Sequence, residues 1–506
     1  MKKLIVSIIL VAVVATNVYS QNYEPRREFR GAWVHTVGNQ KYKEMTTDEM
    51  KKHFTSLLDE FEKAKINAVI FQVRPQADAF YTKSIEPWSR FITGTQGVAP
   101  VPLWDPLQFM VDECHKRGME LHAWFNPYRV TSNDKETLCD EHLYYKKPYL
   151  FVKYGKQIYF DPGEPEARQH TVKVIADVVT RYDIDAVHFD DYFYPYKVME
   201  KGKVVDFPDS ASFAKYGGKD GFTQETRNDW RRNNVNVLIQ ELDKTIKAIK
   251  PWVKFGISPF GIWRNVKSDP TGSNTTGGCE NYDDLYADIK LWVEKRWIDY
   301  NVPQLYFDIG HPAADYETLL KWWSENNYGE NLYIGQDIGK TVKVKSREKE
   351  GEFLNQLPRK MQLVRTDKNI HGNVWWSGYS LLRNPDGFTD SLINSYQTKI
   401  ALMPKYKNID TVAPDVVKNL KMIRRNSNNY LTWLAPETND VMQKAAYYCI
   451  YIVTQNNEDI SNKSPIAITQ NTEFQILKSG IYAVTTLDKL QNESRPIYIN
   501  INADKL

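Results

Sequence analysis

Cysteine, histidine and net charge are all scarce in this chain of 506 residues, which carries 4 Cys, 9 His and a formal charge of +3. The cysteines, Cys114, Cys139, Cys279 and Cys449, are scattered without ligand-like spacing. That pattern marks neither a metal centre nor a disulfide-stapled scaffold, although export would permit disulfides among them. HExxH, CxxC and EF-hand patterns are missing. Neither Gly-rich tract, Thr93 to Gly97 or Thr271 to Gly278, matches a Walker A or dinucleotide fingerprint, so neither metal nor cofactor is expected. With 66 Lys+Arg against 63 Asp+Glu there is no electrostatic pull toward nucleic acid or anionic lipid.

Long hydrophobic runs are confined to the N-terminus. Leu4 to Val14 follows Lys2 and Lys3 and precedes the small, polar segment Ala15 to Ser20. The run is too short for a hydrocarbon layer of about 30 Å. It has the form of a secretory signal over residues 1–20, cleaved near Ser20, and no Cys stands there to accept a lipid. A soluble exported product without a transmembrane anchor is expected, with an uncleaved anchor as the alternative.

Apolar content is ample at 42%, and 14 Trp and 31 Tyr supply flat faces with polar handles. Disorder is excluded by that composition. Eight runs rich in β-branched and aromatic residues recur, each followed by a longer segment with helical spacing. They begin at Arg30, Asn67, Glu120, Asp185, Val253, Val302, Asn331 and Gly372. Between them, Asp48 to Ala64 carries Met50, Phe54, Leu57, Leu58 and Phe61 on one stripe, and Pro165 to Tyr182 carries Val172, Ile175, Val178 and Val179. This spacing predicts an α/β fold, a (β/α)8 TIM barrel over residues 26–408, with its active site at the strand C-termini. Helical periodicity stops near Asn408 to Pro414. Short alternating segments follow over 414–506, and the spacing of Trp433, Tyr448 and Tyr482 resembles a fibronectin type III β-sandwich.

The fourth run, DAVHFDDYFYP, carries Asp190 and Asp191 where a barrel strand opens into its loop. Period-2 alternation places His188 and Asp190 on one face and Phe189 and Asp191 on the other. Two adjacent acids are costly to hold in a partly dry cleft unless they are used or paired. Glycoside hydrolysis uses two carboxyls, one to protonate the leaving oxygen and one as nucleophile or base. Asp308, sharing a face with Gln304 and Tyr306 in the sixth run, is the first candidate for the second acid. Asp337 after Gln336, and Glu86, are alternatives that could instead cap a helix or form an ion pair. Around them the strand ends offer Trp33, His35, Gln72, Arg74, Trp124, Asn126, Tyr128, Ser258, Trp263, Trp375 and Trp376, the mixture of stacking planes and hydrogen-bonding groups that binds sugars. His122 and His188 lie deeper and read as satisfied core histidines.

The motifs FRGAWVHTVGN, NAVIFQVRPQADAFY with IEPWSRFITGTQG, ELHAWFNPYRV, YFDPGEPEARQH, DAVHFDDYFYP, FGISPFGIWRN, VPQLYFDIG and GNVWWSGYSLL resemble the glycosyl-hydrolase-like 10 family of exported bacterial proteins. The likeness runs from about Arg27 to Met403. It implies a TIM-barrel glycoside hydrolase with bacterial cell-wall glycan as substrate class. The family's acidic strand-4 motif corresponds to Asp190 and Asp191, its strand-3 motif to Trp124, Asn126 and Tyr128, and its strand-6 acid to Asp308. The resemblance does not decide which acid is the nucleophile; from the alternating faces of strand 4, Asp190 is expected as the principal catalytic carboxylate, with Asp191 tuning it and Asp308 as acid/base. A hydrolase of dietary or capsular polysaccharide, or a non-catalytic glycan-binding barrel, are the competing readings.

Overall fold

The computed structural model describes residues 24–502; the expected export segment, residues 1–20, lies outside the described residues. Eight parallel strands close a barrel: β1 (Phe29–Val34), β2 (Ala68–Arg74), β3 (Glu120–Phe125), β4 (Ala186–Phe189), β5 (Lys254–Ile257), β6 (Tyr300–Asn301), β7 (Asn331–Asp337) and β8 (Ile370–Trp376). Each strand pairs with its neighbour in sequence, and β8 returns to β1 with Gly372 opposite Phe29. Between them run α1 (Thr47–Lys63), α2 (Pro106–Lys116), α3 (Pro165–Arg181), α4 (Arg227–Ile249), α5 (Ile289–Glu294), α6 (Tyr316–Glu325) and α7 (Leu357–Thr366). The barrel expected from the periodicity is therefore the barrel observed.

Local chemistry explains the element ends. α1 opens with a capping box in which Thr46 and Glu49 satisfy each other's backbone N–H groups, and it buries Met50, Phe54, Leu57, Leu58 and Phe61. α3 carries Pro165 in its first turn, where no N–H is needed. Its buried stripe includes Val174, Ile175, Val178 and Val179, while Val172 lies only half-buried beside it.

β6 departs from expectation. The sequence predicts a strand from Val302 to Gly310, but the ladder covers only Tyr300 and Asn301, with an isolated bridge continuing at Gln304. Pro303 has no N–H to donate, so the regular ladder stops there. Its carbonyl instead accepts from Gly335 and Leu305, each at 3.0 Å. Beyond the Gln304 bridge no pairing continues, so Asp308 lies in a loop.

The barrel interior holds a hydrogen-bonded column. Lys254 at the start of β5 donates to Glu120 at 2.7 Å, and His122 contacts the other Glu120 oxygen at 2.9 Å. The Tyr300 hydroxyl lies 2.8 Å from His122 Nδ1 and 3.0 Å from His188 Nδ1. His188 Nε2 then meets Ser258 Oγ at 2.9 Å, and Trp33 Nε1 donates to the same nitrogen at 3.3 Å. Burial holds both histidines below their ordinary pKa, His188 far below. They are the satisfied core histidines that their depth on the strands suggests.

Beneath this column, at the end where the strands begin, Met403, Tyr406 and Leu490 pack with Phe29, Tyr300 and Tyr333. Leu490 belongs to the C-terminal part of the chain, which forms β9 (Lys418–Arg425), β10 (Asn428–Leu434), β11 (Tyr447–Val453), β12 (Ala467–Thr469), β13 (Glu473–Ile476), β14 (Gly480–Leu487) and β15 (Ile497–Ile501). These make antiparallel sheets ordered β9-β10-β13 and β12-β11-β14-β15, with Trp433, Tyr448, Tyr482 and Val484 in their shared core. Arg26 pairs with Glu493, and the Gln491 side chain accepts from Met403 N at 2.9 Å, holding this part on the strand-start end of the barrel. Cys114, Cys139, Cys279 and Cys449 are all free thiols. Among the described residues no helix is long and apolar enough to cross a membrane.

Tyr300 fits inside the barrel because β5 presents Gly256 opposite it. A Cβ there would lie 2.0 Å from the Tyr300 ring. Overpacking a closed core costs about 1–3 kcal/mol or more. Gly256→Ala is expected to lose at least that much unfolding free energy in urea; an unchanged midpoint would show that the column can repack.

Candidate active site

The C-terminal ends of the strands surround a cavity of about 390 Å³. β1 and its exit supply Trp33 and His35, β2 supplies Gln72, β3 supplies Trp124, and the end of β4 supplies Asp190 and Asp191. Ser258 follows β5, Gln304 and Tyr306 follow β6, and Trp376 ends β8. Trp376 lies 6.3 Å from both Trp33 and Trp124, edge to face, and Trp33 meets Tyr306 in the same way at 6.4 Å. These four rings form an apolar box on the cavity wall.

Asp190 is held by three donors. Trp124 Nε1 reaches its Oδ2 at 3.0 Å, Asn126 Nδ2 its Oδ1 at 3.2 Å, and the backbone N–H of Tyr192 its Oδ1 at 3.2 Å. Asn126 is aimed by its own carbonyl, which accepts from the backbone of Arg129 at 2.8 Å and of Tyr128 at 3.3 Å. Burial raises the Asp190 pKa, while Arg129 and the three donors oppose the rise. Asp191 accepts from the Tyr196 hydroxyl. Burial first, and then the neighbouring Asp190 charge, push its carboxyl up to about 7. Both acids are 4% exposed.

Strand alternation puts Asp191 on the face away from Asp190, yet both line the cavity. The ladder ends at Phe189, and Asp191 lies in the turn beyond, where its carbonyl accepts from Phe193 N at 3.1 Å. Beyond a strand end the period of two no longer dictates direction.

Of the other expected site residues, Trp33, His35, Gln72, Trp124, Ser258, Tyr306 and Trp376 line the cavity. Burial and then Arg383 hold His35 down to about 4, so it is neutral at physiological pH. Gln72 is fully buried and its carbonyl accepts from the backbone of Thr36 at 2.9 Å and Val37 at 2.8 Å. Its Nε2 has no hydrogen-bond partner among the described residues.

Arg74, Glu86, Asn126, Tyr128, Trp263, Asp308, Gln336, Asp337 and Trp375 stand outside the lining. Arg74 clasps Glu86 through two bonds of 2.7 and 2.6 Å, and His170 adds a third contact at 2.9 Å. Burial would raise the Glu86 carboxyl, but Arg74 and His170 outweigh it and hold the group well below the usual range. The pair fastens the β2 loop and, through Arg74 to the Pro127 carbonyl at 3.1 Å, the β3 loop that carries Asn126. Asp337 caps the short helix after β7, accepting from Lys340 N at 2.8 Å, and Gln336 donates to Asn373 at 2.6 Å. Trp263 stacks on Trp322, and Trp375 packs against Phe388. Asp308, expected at the lip as the second acid, instead pairs with Arg347 at 2.9 Å; strand pairing ends at the Gln304 bridge, so Asp308 stands in a loop where no alternation dictates its direction.

Sequence reasoning did not single out Arg129, Tyr192, Tyr196 or Gln304 as site residues, although all four line the cavity. Arg129 is anchored by two bonds to the Pro75 carbonyl, at 3.1 and 3.0 Å, and lies 5.0 Å from the centre of the Tyr192 ring. The available signal was proximity in sequence: Tyr192 follows the acids directly and Tyr196 comes soon after, and Arg129 follows Asn126-Pro127-Tyr128. Among the described residues no cluster of three or more His, Cys, Asp or Glu is placed to hold a metal ion.

The glycosyl hydrolase-like 10 family matches residues 28–352. Glycosyl hydrolase YngK of Bacillus subtilis (strain 168) is 41% identical over 512 residues, covering 97% of each chain. Glycosyl hydrolase DigH of Escherichia coli (strain K12) is 43% identical over 290 residues, covering 55% of this chain and 63% of its own. Among solved structures, the PgaB (BpsB) glycoside hydrolase domain from Bordetella bronchiseptica superposes with a TM-score of 0.46 and 12% identity, over 73% of this chain and 99% of that one. The family match spans most of the barrel and includes the strand-4 acids, and the YngK similarity runs almost end to end: this chain belongs to the glycosyl hydrolase-like 10 family and is a glycoside hydrolase.

Proposed function

We propose that the protein is exported and hydrolyses O-glycosidic bonds of a bacterial cell-wall-type glycan, with peptidoglycan glycan strands as its substrate. The observation that carries this reading is the Asp190–Asp191 pair at the base of an aromatic-walled cavity. The N-terminal sequence pattern supports export. The box of Trp33, Trp124, Trp376 and Tyr306 suits the apolar faces of sugar rings.

In this reading Asp191 is the general acid/base, the role that the sequence pattern assigns to Asp308. A buried carboxyl poised at about 7 holds its proton in the substrate complex and can still release it. The donors converging on Asp190 place the shared negative charge there, where it faces the positive charge that develops on the sugar in the transition state. We assign residues 26–408 to the catalytic barrel and 414–506 to a fibronectin type III-like sandwich; the three- and four-stranded antiparallel sheets support that assignment. The sandwich lies at the end of the barrel remote from the acids, which fits a spacer better than a part of the cleft.

Incubation with sacculi stripped of stem peptides is expected to release new reducing ends, and Asp191→Asn to lower kcat by about 10²–10⁴-fold. Release only from dietary or capsular polysaccharides moves the substrate class, and binding without release from any glycan removes the assigned chemistry. Since the general acid must be protonated, kcat/KM is expected to fall as pH rises through about 7; a flat profile from pH 6 to 9 removes Asp191 from that role.

Stability supplies a check that does not depend on substrate. Asp191 binds its proton more tightly folded than unfolded, so native stability falls as pH rises from the ordinary carboxylate value of 3.8 to about 7. Asp191→Asn is expected to match the wild type near the bottom of that window. Above it the variant gains up to a few kcal/mol, since each tenfold difference in proton affinity between the folded and unfolded chain is worth ~1.4 kcal/mol. A variant less stable at pH 8 contradicts the raised carboxyl.

A further inference from the structure

Glycosidases that use two enzyme carboxyls place them on either side of the scissile bond, about 5–5.5 Å apart for retention and about 6.5–9.5 Å for inversion. Here the carboxylates lining the cavity, among the described residues, are Asp190 and Asp191. They are consecutive in the chain and both come from the end of one strand. The other nearby acids are engaged: Asp308 with Arg347, Asp337 at a helix N-terminus, and Glu86 between Arg74 and His170. What the cavity offers in place of a second carboxylate is the aromatic box and unused hydrogen-bonding capacity.

That capacity is specific. A carboxylate has about four acceptor directions, and three donors already occupy Asp190, leaving about one toward the cavity. Gln72 Nε2, on β2 next to Trp124 in the strand register, is a buried donor without a partner among the described residues. Leaving a buried amide N–H unpaired costs free energy that a ligand oxygen recovers. A 2-acetamido group complements such a site: its N–H meets a fixed acceptor, its methyl enters an aromatic box, and its carbonyl is left to face the anomeric carbon.

We propose that the substrate supplies its own nucleophile, and that the sugar bound over Asp190 must carry a 2-acetamido group. This rests on the glycoside hydrolase reading above and narrows its substrate class. In the first step the acetamido carbonyl oxygen forms a bond to C1 as the C1–O glycosidic bond breaks. The leaving oxygen takes the Asp191 proton, and the cyclic oxazolinium ion keeps its N–H hydrogen-bonded to the Asp190 carboxylate. In the second step water attacks C1, Asp191 takes a proton from that water, and the ring C–O bond opens to regenerate the acetamide. Two displacements at C1 give net retention. Gln72 Nε2 donates to an oxygen of the same sugar and acts as a positioning residue.

The test uses the full chain and three samples of stem-peptide-free glycan strands: native, chemically de-N-acetylated, and de-N-acetylated then re-N-acetylated. Reducing ends report turnover, proton NMR reports the anomer first released, and the thiazoline analogue of N-acetylglucosamine, a stable mimic of the oxazolinium ion, serves as inhibitor. We expect de-N-acetylation to lower turnover at least 100-fold and re-N-acetylation to restore it. The retained anomer and competitive inhibition by the thiazoline are expected alongside. Comparable cleavage of native and de-N-acetylated strands, or release of the inverted anomer, overturns substrate participation while leaving the glycoside hydrolase reading in place. Cleavage of none of the three overturns the cell-wall-glycan reading and the inference with it. Gln72→Ala is expected to raise KM several-fold on native strands with kcat less affected; an unchanged KM removes its positioning role.

Discussion

The hydroxyl of Tyr300 bridges two buried histidines on the barrel axis, and the geometry of the cavity depends on that bridge. Eight short strands cannot fill their interior with aliphatic side chains alone when several inward positions are Lys, Glu, His and Ser. Buried polar groups of this kind are tolerated only when each finds a partner. The column from Lys254 through Glu120, His122, Tyr300 and His188 to Ser258 provides those partners in sequence. Tyr300 can cross the axis because Gly256 leaves its place empty. The upper end of the column, His188, lies on the strand that delivers the two acids and also receives the Trp33 indole.

Above that support the site concentrates negative potential where water is scarce. Two adjacent carboxyls in a buried position cannot both ionise cheaply, so their protonation states separate. Asp190 collects indole, amide and backbone donors, while Asp191, met by the Tyr196 phenol and the Gln304 amide, is pushed up by burial and the Asp190 charge and holds its proton to about neutrality. The Arg74–Glu86 pair contributes from outside the cavity. By tying the β2 loop to the β3 loop, it fixes the turn that aims Asn126 at Asp190. Its acid is therefore part of the scaffold of the site, not of its lining.

The barrel itself was legible because its signal is repetitive. Eight apolar, β-branched runs alternating with one-sided helices predict a closed parallel sheet, and errors of a few residues at strand ends do not alter that outcome. The sixth strand shows the limit. Gln304 and Tyr306 still reach the cavity beyond Pro303, but pairing ends at Gln304, and an alternation continued to Asp308 runs into a loop where Arg347 takes the carboxylate. Asp191 shows the converse, since alternation continued past the end of β4 placed it on the outer face, and the turn returns it to the cavity. Arg129 and Tyr196 escaped notice because they act from loops, where no period indicates direction.

Residue order alone determined the fold class, the strand-4 acids and the supply of aromatic residues at the strand ends. These depend on periodicity and on residue types that keep their meaning in any surroundings. Tertiary structure alone decided which acids share the cavity, which of them keeps a proton, and which are spent on Arg74, Arg347 or a helix N-terminus. Those outcomes depend on burial and on partners contributed from distant parts of the chain. A carboxyl's pKa and direction are properties of its neighbours in space, and the linear sequence does not contain them locally.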